Sequence, residues 1–160
     1  NYLVSLNNVK EMNIVDYLKA GSRLNSISRI CDLIKIDFIS EGKVICLHSQ
    51  SALMRGLKNN ELLISSNDIF LPSKQYKKKL FRKFKWDIPG NTLFDDQLMV
   101  FEKKVINKNL LSVHVLGKDL ILELDDNYKI EILSCTLEKG RELFRMFIKG
   151  ELDSHIVFDS

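Results

Sequence analysis

Cysteine is scarce in this sequence, and long apolar runs are missing. The three cysteines, Cys31, Cys46 and Cys135, form no Cys-x-x-Cys pair, and the first residues do not resemble a secretory signal. This usage is typical of reduced thiols in a cytoplasm rather than of a disulfide framework. No apolar run approaches the roughly 18 residues of a membrane span. We therefore expect a cytoplasmic protein without a membrane partner.

Motifs of the common catalytic and nucleotide-binding sites are also missing. The sequence contains no Walker loop, no Gly-x-Gly-x-x-Gly, no Gly-x-Ser-x-Gly and no His-Glu-x-x-His. Cys46 and His48 would share one strand face, but a metal site needs three or four ligands at recognisable spacing. A structural role for this pair is the favoured interpretation, and a thiol or metal site is the alternative. We therefore predict no catalytic residue, no metal ligand and no cofactor.

The net charge of +3 conceals one strongly basic segment. Residues 74–85 carry seven Lys and Arg and no acidic residue, which leaves the rest of the chain at −4 (3 minus 7). Aromatic residues up to Trp86 are interleaved with these charges, as contact with a phosphate backbone and stacked bases would require. The spacing of Tyr76, Leu80 and Phe84 equally suits a helix packed on a sheet. Three interpretations stay open: a solvated helix or loop, a nucleic-acid contact, and a contact with an acidic protein.

Alternating apolar residues predict an α+β fold of mainly antiparallel strands. In residues 110–135, apolar runs alternate with Gly-Lys-Asp and Asp-Asp-Asn turns, which indicates three short strands. One principal helix is predicted at about 93–106, with Thr92 as its cap and an apolar stripe that packs on a sheet face. That stripe consists of Phe94, Leu98, Phe101 and Val105. Further strands are predicted at 26–39, at 43–49 with a continuation through 51–54, and at 61–66, 142–149 and 155–158.

An ungapped offset of 86 residues relates two parts of the chain. Residues 34–38 align with residues 120–124, and apolar residues occupy the same alternate positions in both segments. Lys43-Val44 aligns with Lys129-Ile130. One interpretation is that a unit of a helix followed by strands has been duplicated. The other is that any two hairpins align in this way, because apolar residues alternate with a period of two along every half-buried strand.

The predicted domain organisation follows from this offset. We expect a single compact domain over 1–160. Within it, the pseudo-repeats would cover 13–66 and 93–149, and the basic connection 67–92 would join them.

Several scattered residues resemble small uncharacterised bacterial proteins of the accessory or immunity-like kind. They include Arg55, Pro72, Phe144-Arg145 and the Trp-Asp-x-x-Gly-Asn sequence that starts at Trp86. The chain departs from the pattern at Met54, where an aromatic residue is expected. The resemblance implies no known chemistry and favours a non-enzymatic binding protein.

We therefore expect a small protein that binds another protein, like an inhibitor, immunity protein or antitoxin in bacterial or phage conflict. The alternative is a nucleic-acid-binding accessory protein that uses residues 74–85. A homodimer through edge strands is a further option. Since interfaces favour Trp and Arg, and lysines steer an acidic partner, one set of residues is predicted to bind the partner. That set is Lys77, Lys78, Lys79, Arg82 and Trp86.

Overall fold

A computed structural model describes residues 14–75 and 84–160. Within them, ten strands form two antiparallel sheets of five strands each, with one principal helix, so the predicted α+β class is confirmed. A helical turn at 14–17 precedes the strands of the first half. These are β1 (Arg23–Ile30), β2 (Leu33–Ser40), β3 (Lys43–Ser49), β4 (Leu53–Lys58) and β5 (Glu61–Ser65). Helix α1 (Leu93–Val105) is followed by β6 (Leu110–Leu116), β7 (Asp119–Leu124), β8 (Tyr128–Leu133), β9 (Glu142–Ile148) and β10 (Ile156–Asp159).

The two halves exchange hairpins. One sheet has the order β1-β2-β3-β9-β10, and the other has the order β5-β4-β8-β7-β6. Each half therefore contributes a three-stranded meander to one sheet and a two-stranded hairpin to the other. The two halves are joined within the sheets where β3 pairs with β9 and where β4 pairs with β8.

Matching irregularities occur at equivalent positions of the two halves. The first two strands of each meander carry a register shift at positions 86 residues apart, between Leu24 and Ser26 and between Leu110 and Ser112. The segments before these shifts pair with each other around a bridge between Arg23 and Asn109, which are also 86 residues apart. The spacing of the shifts and of the bridge equals the 86-residue offset found in the sequence; the pseudo-repeats and their origin by duplication stay a hypothesis.

The 86-residue offset ends after the second strand of each meander. Phe38 pairs with Ile45, whereas its counterpart Leu124 pairs with Tyr128. Six residues (39–44) separate the members of the first pair and three (125–127) separate those of the second, so equivalent positions of β3 and β8 are 83 residues apart. The predicted alignment of Lys43-Val44 with Lys129-Ile130 is therefore wrong in register.

Two other strand predictions also needed correction. Residues 26–39 contain a hairpin rather than one extended segment, because Cys31 adopts a positive φ of 53° in the turn between β1 and β2. The strand at 43–49 does not continue through 51–54, since the chain leaves β3 there and β4 joins the other sheet.

Helix α1 begins and packs as the sequence predicts. The Thr92 hydroxyl accepts a hydrogen bond from the Asp95 N–H, and the Asp95 carboxylate accepts one from the Thr92 N–H, which forms a capping box. The stripe of Phe94, Leu98, Phe101 and Val105 is buried. The helix packs on β1, on β5 and on the 3-10 turn Ser66–Phe70.

One apolar cluster contains side chains from both sheets and from α1. The backbone of β4 approaches α1 closely at Gly56, where an added Cβ would lie 2.5 Å from Phe101 Cζ. Among the described helices, which reach 13 residues in α1, none combines the length and apolar character that crossing a membrane requires.

Candidate binding surface

The structure places one of the five predicted partner-binding residues. Lys77, Lys78, Lys79 and Arg82 lie outside the described residues. Trp86 is described, and it follows the basic segment in the connection between β5 and α1. Trp86 and the described residues around it therefore define the candidate site.

Trp86 belongs to an exposed apolar surface. Its ring packs against the ring of Phe70 with centroids 5.3 Å apart, yet Trp86 remains 37% exposed and Phe70 57% exposed. Leu71 and Ile88, close to these residues along the chain, are also exposed. We call Phe70, Leu71, Trp86 and Ile88 the aromatic patch. Exposed apolar groups that cluster in this way are typical of interaction sites.

Buried Arg29 fixes the backbone beneath Trp86. Its five guanidinium N–H groups all have acceptors: two carboxylate oxygens of Asp95 at 2.6 Å each, and the carbonyls of Cys31, Trp86 and Ile88 at 2.7 to 3.0 Å. A buried guanidinium is stable only when it is paired and hydrogen-bonded in this way. Arg29 thus joins β1, the loop of Trp86 and the start of α1.

Asp95, in the first turn of α1, binds both Arg29 and the residues that precede the helix. Besides Arg29, its carboxylate accepts hydrogen bonds from the N–H groups of Gly90 and Thr92 and from the Thr92 hydroxyl. Burial acts to raise the pKa of Asp95, but the hydrogen bonds from Arg29 and Thr92 outweigh it and hold this pKa below its usual value. The carboxylate is therefore ionised at neutral pH.

A short antiparallel ladder holds the other side of the aromatic patch. The Leu93 N–H donates to the Leu71 carbonyl and the Ser73 N–H donates to the Asn91 carbonyl, both at 2.8 Å. Phe70 and Trp86 are therefore presented from backbone that is fixed on both sides. Sequence reasoning predicted Trp86 as a partner-binding residue, which stays a prediction, and did not identify Arg29. The sequence does contain a sign of the role of Arg29. It lies two residues after Ile27 on the buried face of β1, and a charged residue at a buried position requires a partner.

An open pocket of about 220 Å³ lies between β5 and α1. We call it the α1 pocket. Its apolar wall is formed by Leu63, Leu93, Val100 and Phe101. Its polar rim consists of Lys74, Asp96, Gln97 and Lys104. Leu93 of the pocket donates its backbone N–H to the carbonyl of Leu71 in the aromatic patch, so the antiparallel ladder connects the two sites.

Cys46 and His48 share the outer face of β3, as their spacing predicts, with Asp37 opposite Cys46. Burial, followed by the Asp37 carboxylate, raises the pKa of the Cys46 thiol to about 11. The thiol therefore stays protonated, which disfavours a nucleophile. The His48 ring packs edge-on against Phe147, and burial lowers its pKa. No group of three or more metal-ligating side chains occurs in residues 14–75 and 84–160.

A Ser-His-Glu cluster on β6 and β7 was not foreseen from the sequence. The Ser112 hydroxyl donates to Glu123 at 2.7 Å and lies 3.0 Å from His114 Nε2. His114 Nε2 also lies 3.6 Å from Glu123 Oε2, so one ring nitrogen faces both groups, whereas the histidine of a nucleophilic triad contacts serine and acid through different ring nitrogens. The other half has the same pair, because Ser26 donates to Asp37 at the equivalent place. The cluster is therefore best explained as a cross-strand polar contact beside the register shift.

Comparison of the chain with protein-family models, with curated proteins and with solved structures gives no significant match. The resemblance to small bacterial immunity-like proteins therefore stays a hypothesis.

Proposed function

We propose that this chain is a non-enzymatic protein-binding module whose partner contacts the aromatic patch. The observation that carries the proposal is the Phe70–Trp86 pair, which is exposed although Arg29 fixes the backbone beneath it. Tryptophan is enriched in interface hot spots, and a pre-organised surface loses less conformational entropy on binding. The raised pKa of Cys46 adds support, because a protonated thiol is a poor nucleophile.

The partner in this proposal is an acidic protein. The aromatic patch adjoins the basic segment 74–85 along the chain, with its seven positive charges. Such a segment would steer an acidic partner toward the patch and raise the association rate. The proposed setting is inhibition or immunity in bacterial or phage conflict.

Photo-crosslinking tests the proposal. Trp86 is replaced by a benzoylphenylalanine in cells that carry the gene, and Leu137, which is fully exposed elsewhere, is the control position. We expect position 86 to capture one acidic protein and the control position to fail. Capture should resist nuclease and should be lost with Phe70→Ala. Equal capture at both positions, capture of nucleic acid, or capture of a second copy of this chain would contradict the proposal.

A purified complex then allows a quantitative test. Trp86→Ala should weaken binding by about 2 kcal/mol, or roughly thirtyfold, while the circular dichroism spectrum stays unchanged. If the variant unfolds, Trp86 is a structural residue and its assignment to the site is wrong. A nucleic-acid partner would instead reveal itself by an affinity that falls steeply with salt.

A further inference from the structure

We propose that the α1 pocket receives one large apolar side chain from an acidic segment of the partner. This inference rests on the proposed function and adds the chemistry of the partner. It is carried by the pocket's size, its apolar wall and the two lysines on its rim.

The size and wall of the pocket suit a single apolar side chain. Its volume of about 220 Å³ exceeds the roughly 150 Å³ of an engineered apolar cavity that binds benzene. The wall consists of Leu63, Leu93, Val100 and Phe101, so a phenyl or isobutyl group would gain apolar contacts on several sides.

A bulge in β5 creates part of this wall. Gly56 pairs with Ile64 and Leu57 pairs with Leu62, so Leu63 is an extra residue without a partner position on β4. Bulges redirect side chains and are common beside binding sites. Here Leu63 is directed to the pocket, while its neighbour Ile64 is buried in the core.

The charges on the rim select an acidic segment. Lys74 and Lys104 are both exposed at the rim. The carboxylate of Asp96, also at the rim, already accepts hydrogen bonds from the Ser73 hydroxyl and the Lys74 N–H. The two ammonium groups would therefore attract carboxylates that flank an apolar anchor in the partner's sequence.

Two pairs of variants isolate the pocket. Val100 and Met99 are adjacent on α1 and equally exposed at 54%, but only Val100 lines the pocket. Val100→Phe fills the pocket, and Met99→Phe is the matched control. Lys104→Glu reverses a rim charge, and Lys103→Glu makes the same charge change on a neighbouring residue outside the rim.

The probe is a fluorescein-labelled peptide with one phenylalanine flanked by aspartates. We expect its fluorescence anisotropy to rise on binding, and we expect Val100→Phe and Lys104→Glu each to weaken binding about tenfold while both controls leave it unchanged. Peptides with serine for phenylalanine, or asparagine for aspartate, should also bind about tenfold more weakly. No binding, equal effects of a variant and its control, or displacement of the peptide by an oligothymidylate would overturn the inference.

The crosslinking experiment separates this inference from the proposed function. If position 86 captures a protein and Val100→Phe leaves that complex unweakened, the pocket is not the anchor site and the inference fails alone. If the peptide binds as expected but position 86 captures no protein, the proposed function fails.

Discussion

Arg29 and Asp95, which are 66 residues apart in the sequence, form a buried ion pair in which both guanidinium contacts measure 2.6 Å. The same guanidinium binds the carbonyls of Trp86 and Ile88. Loss of the pair should therefore destabilise the fold and also displace the loop that carries Trp86, the only tryptophan in the sequence.

Arg29→Ala should destabilise the protein by about 3–5 kcal/mol, because it leaves the Asp95 carboxylate and three carbonyls without their cation. Urea unfolding measures this loss. In the folded variant, the emission of Trp86 should shift to the red as its loop loosens. Arg23→Ala, at an exposed position of the same strand, should change stability by less than about 0.5 kcal/mol. An equal loss in both variants would contradict the role given to Arg29.

The ion pair should also make stability depend on acid pH. Because the pKa of Asp95 is lowered in the folded state, its contribution is present above the unfolded pKa of about 3.9 and is lost as pH falls through the folded pKa. Asp95→Asn should therefore be less stable than the native chain at pH 7, and the difference should shrink below about pH 4. Urea unfolding at both pH values measures it, and a difference that stays constant would show that Asp95 is not the group that titrates.

Gly56→Ala should cost more than about 1 kcal/mol, since its new methyl group would meet Phe101 Cζ at 2.5 Å and Ile64 Cγ2 at 2.6 Å. The backbone at Gly56 does not have a positive φ, so the expected loss is steric. Adding Phe101→Leu tests this explanation, because a smaller side chain should make Gly56→Ala less costly than it is beside phenylalanine. Thermal unfolding of the four chains completes the double-mutant cycle. Additive losses would exclude the steric contact.

Fragments 1–66 and 67–160 should fold only when they are mixed. Each fragment alone contains hairpins whose partner strands belong to the other fragment, namely β3 with β9 and β4 with β8. Circular dichroism should show cooperative unfolding for the mixture and for neither fragment alone. Leu47→Asp, which places a carboxylate at a fully buried position of β3, is the control that should prevent assembly. Cooperative folding of one fragment alone would contradict the expected interdependence of the halves.

Local sequence patterns predicted the elements better than their arrangement. The cap at Thr92 and the four-residue stripe were sufficient to place α1, and the turn signals in residues 110–135 were sufficient to place β6, β7 and β8. Pairing between β3 and β9 has no local signal, because the pattern of a strand defines its faces but not its neighbour. The exchange of hairpins was therefore not predictable from these patterns.

The residues of the candidate site also differ in how far local sequence patterns could predict them. Trp86 was predicted from its residue type, which is common in interfaces, whereas Arg29 holds the loop of Trp86 through two carbonyls that are 57 and 59 residues away in the sequence. The α1 pocket was missed because its wall combines residues of β5 and α1 that only the folded chain brings together.

The exchange of hairpins has a consequence for protein synthesis. Strand β3 ends at Ser49, but its partner β9 ends at Ile148, so about 100 further residues must be translated before the two can pair. At roughly 5–20 residues per second, the nascent first half waits about 5–20 s on the ribosome with an incomplete sheet. During that interval β3 can pair with the same strand of a neighbouring nascent chain on the polysome. A chaperone that shields this edge should therefore raise the yield of monomer more than it raises the refolding yield of the finished chain.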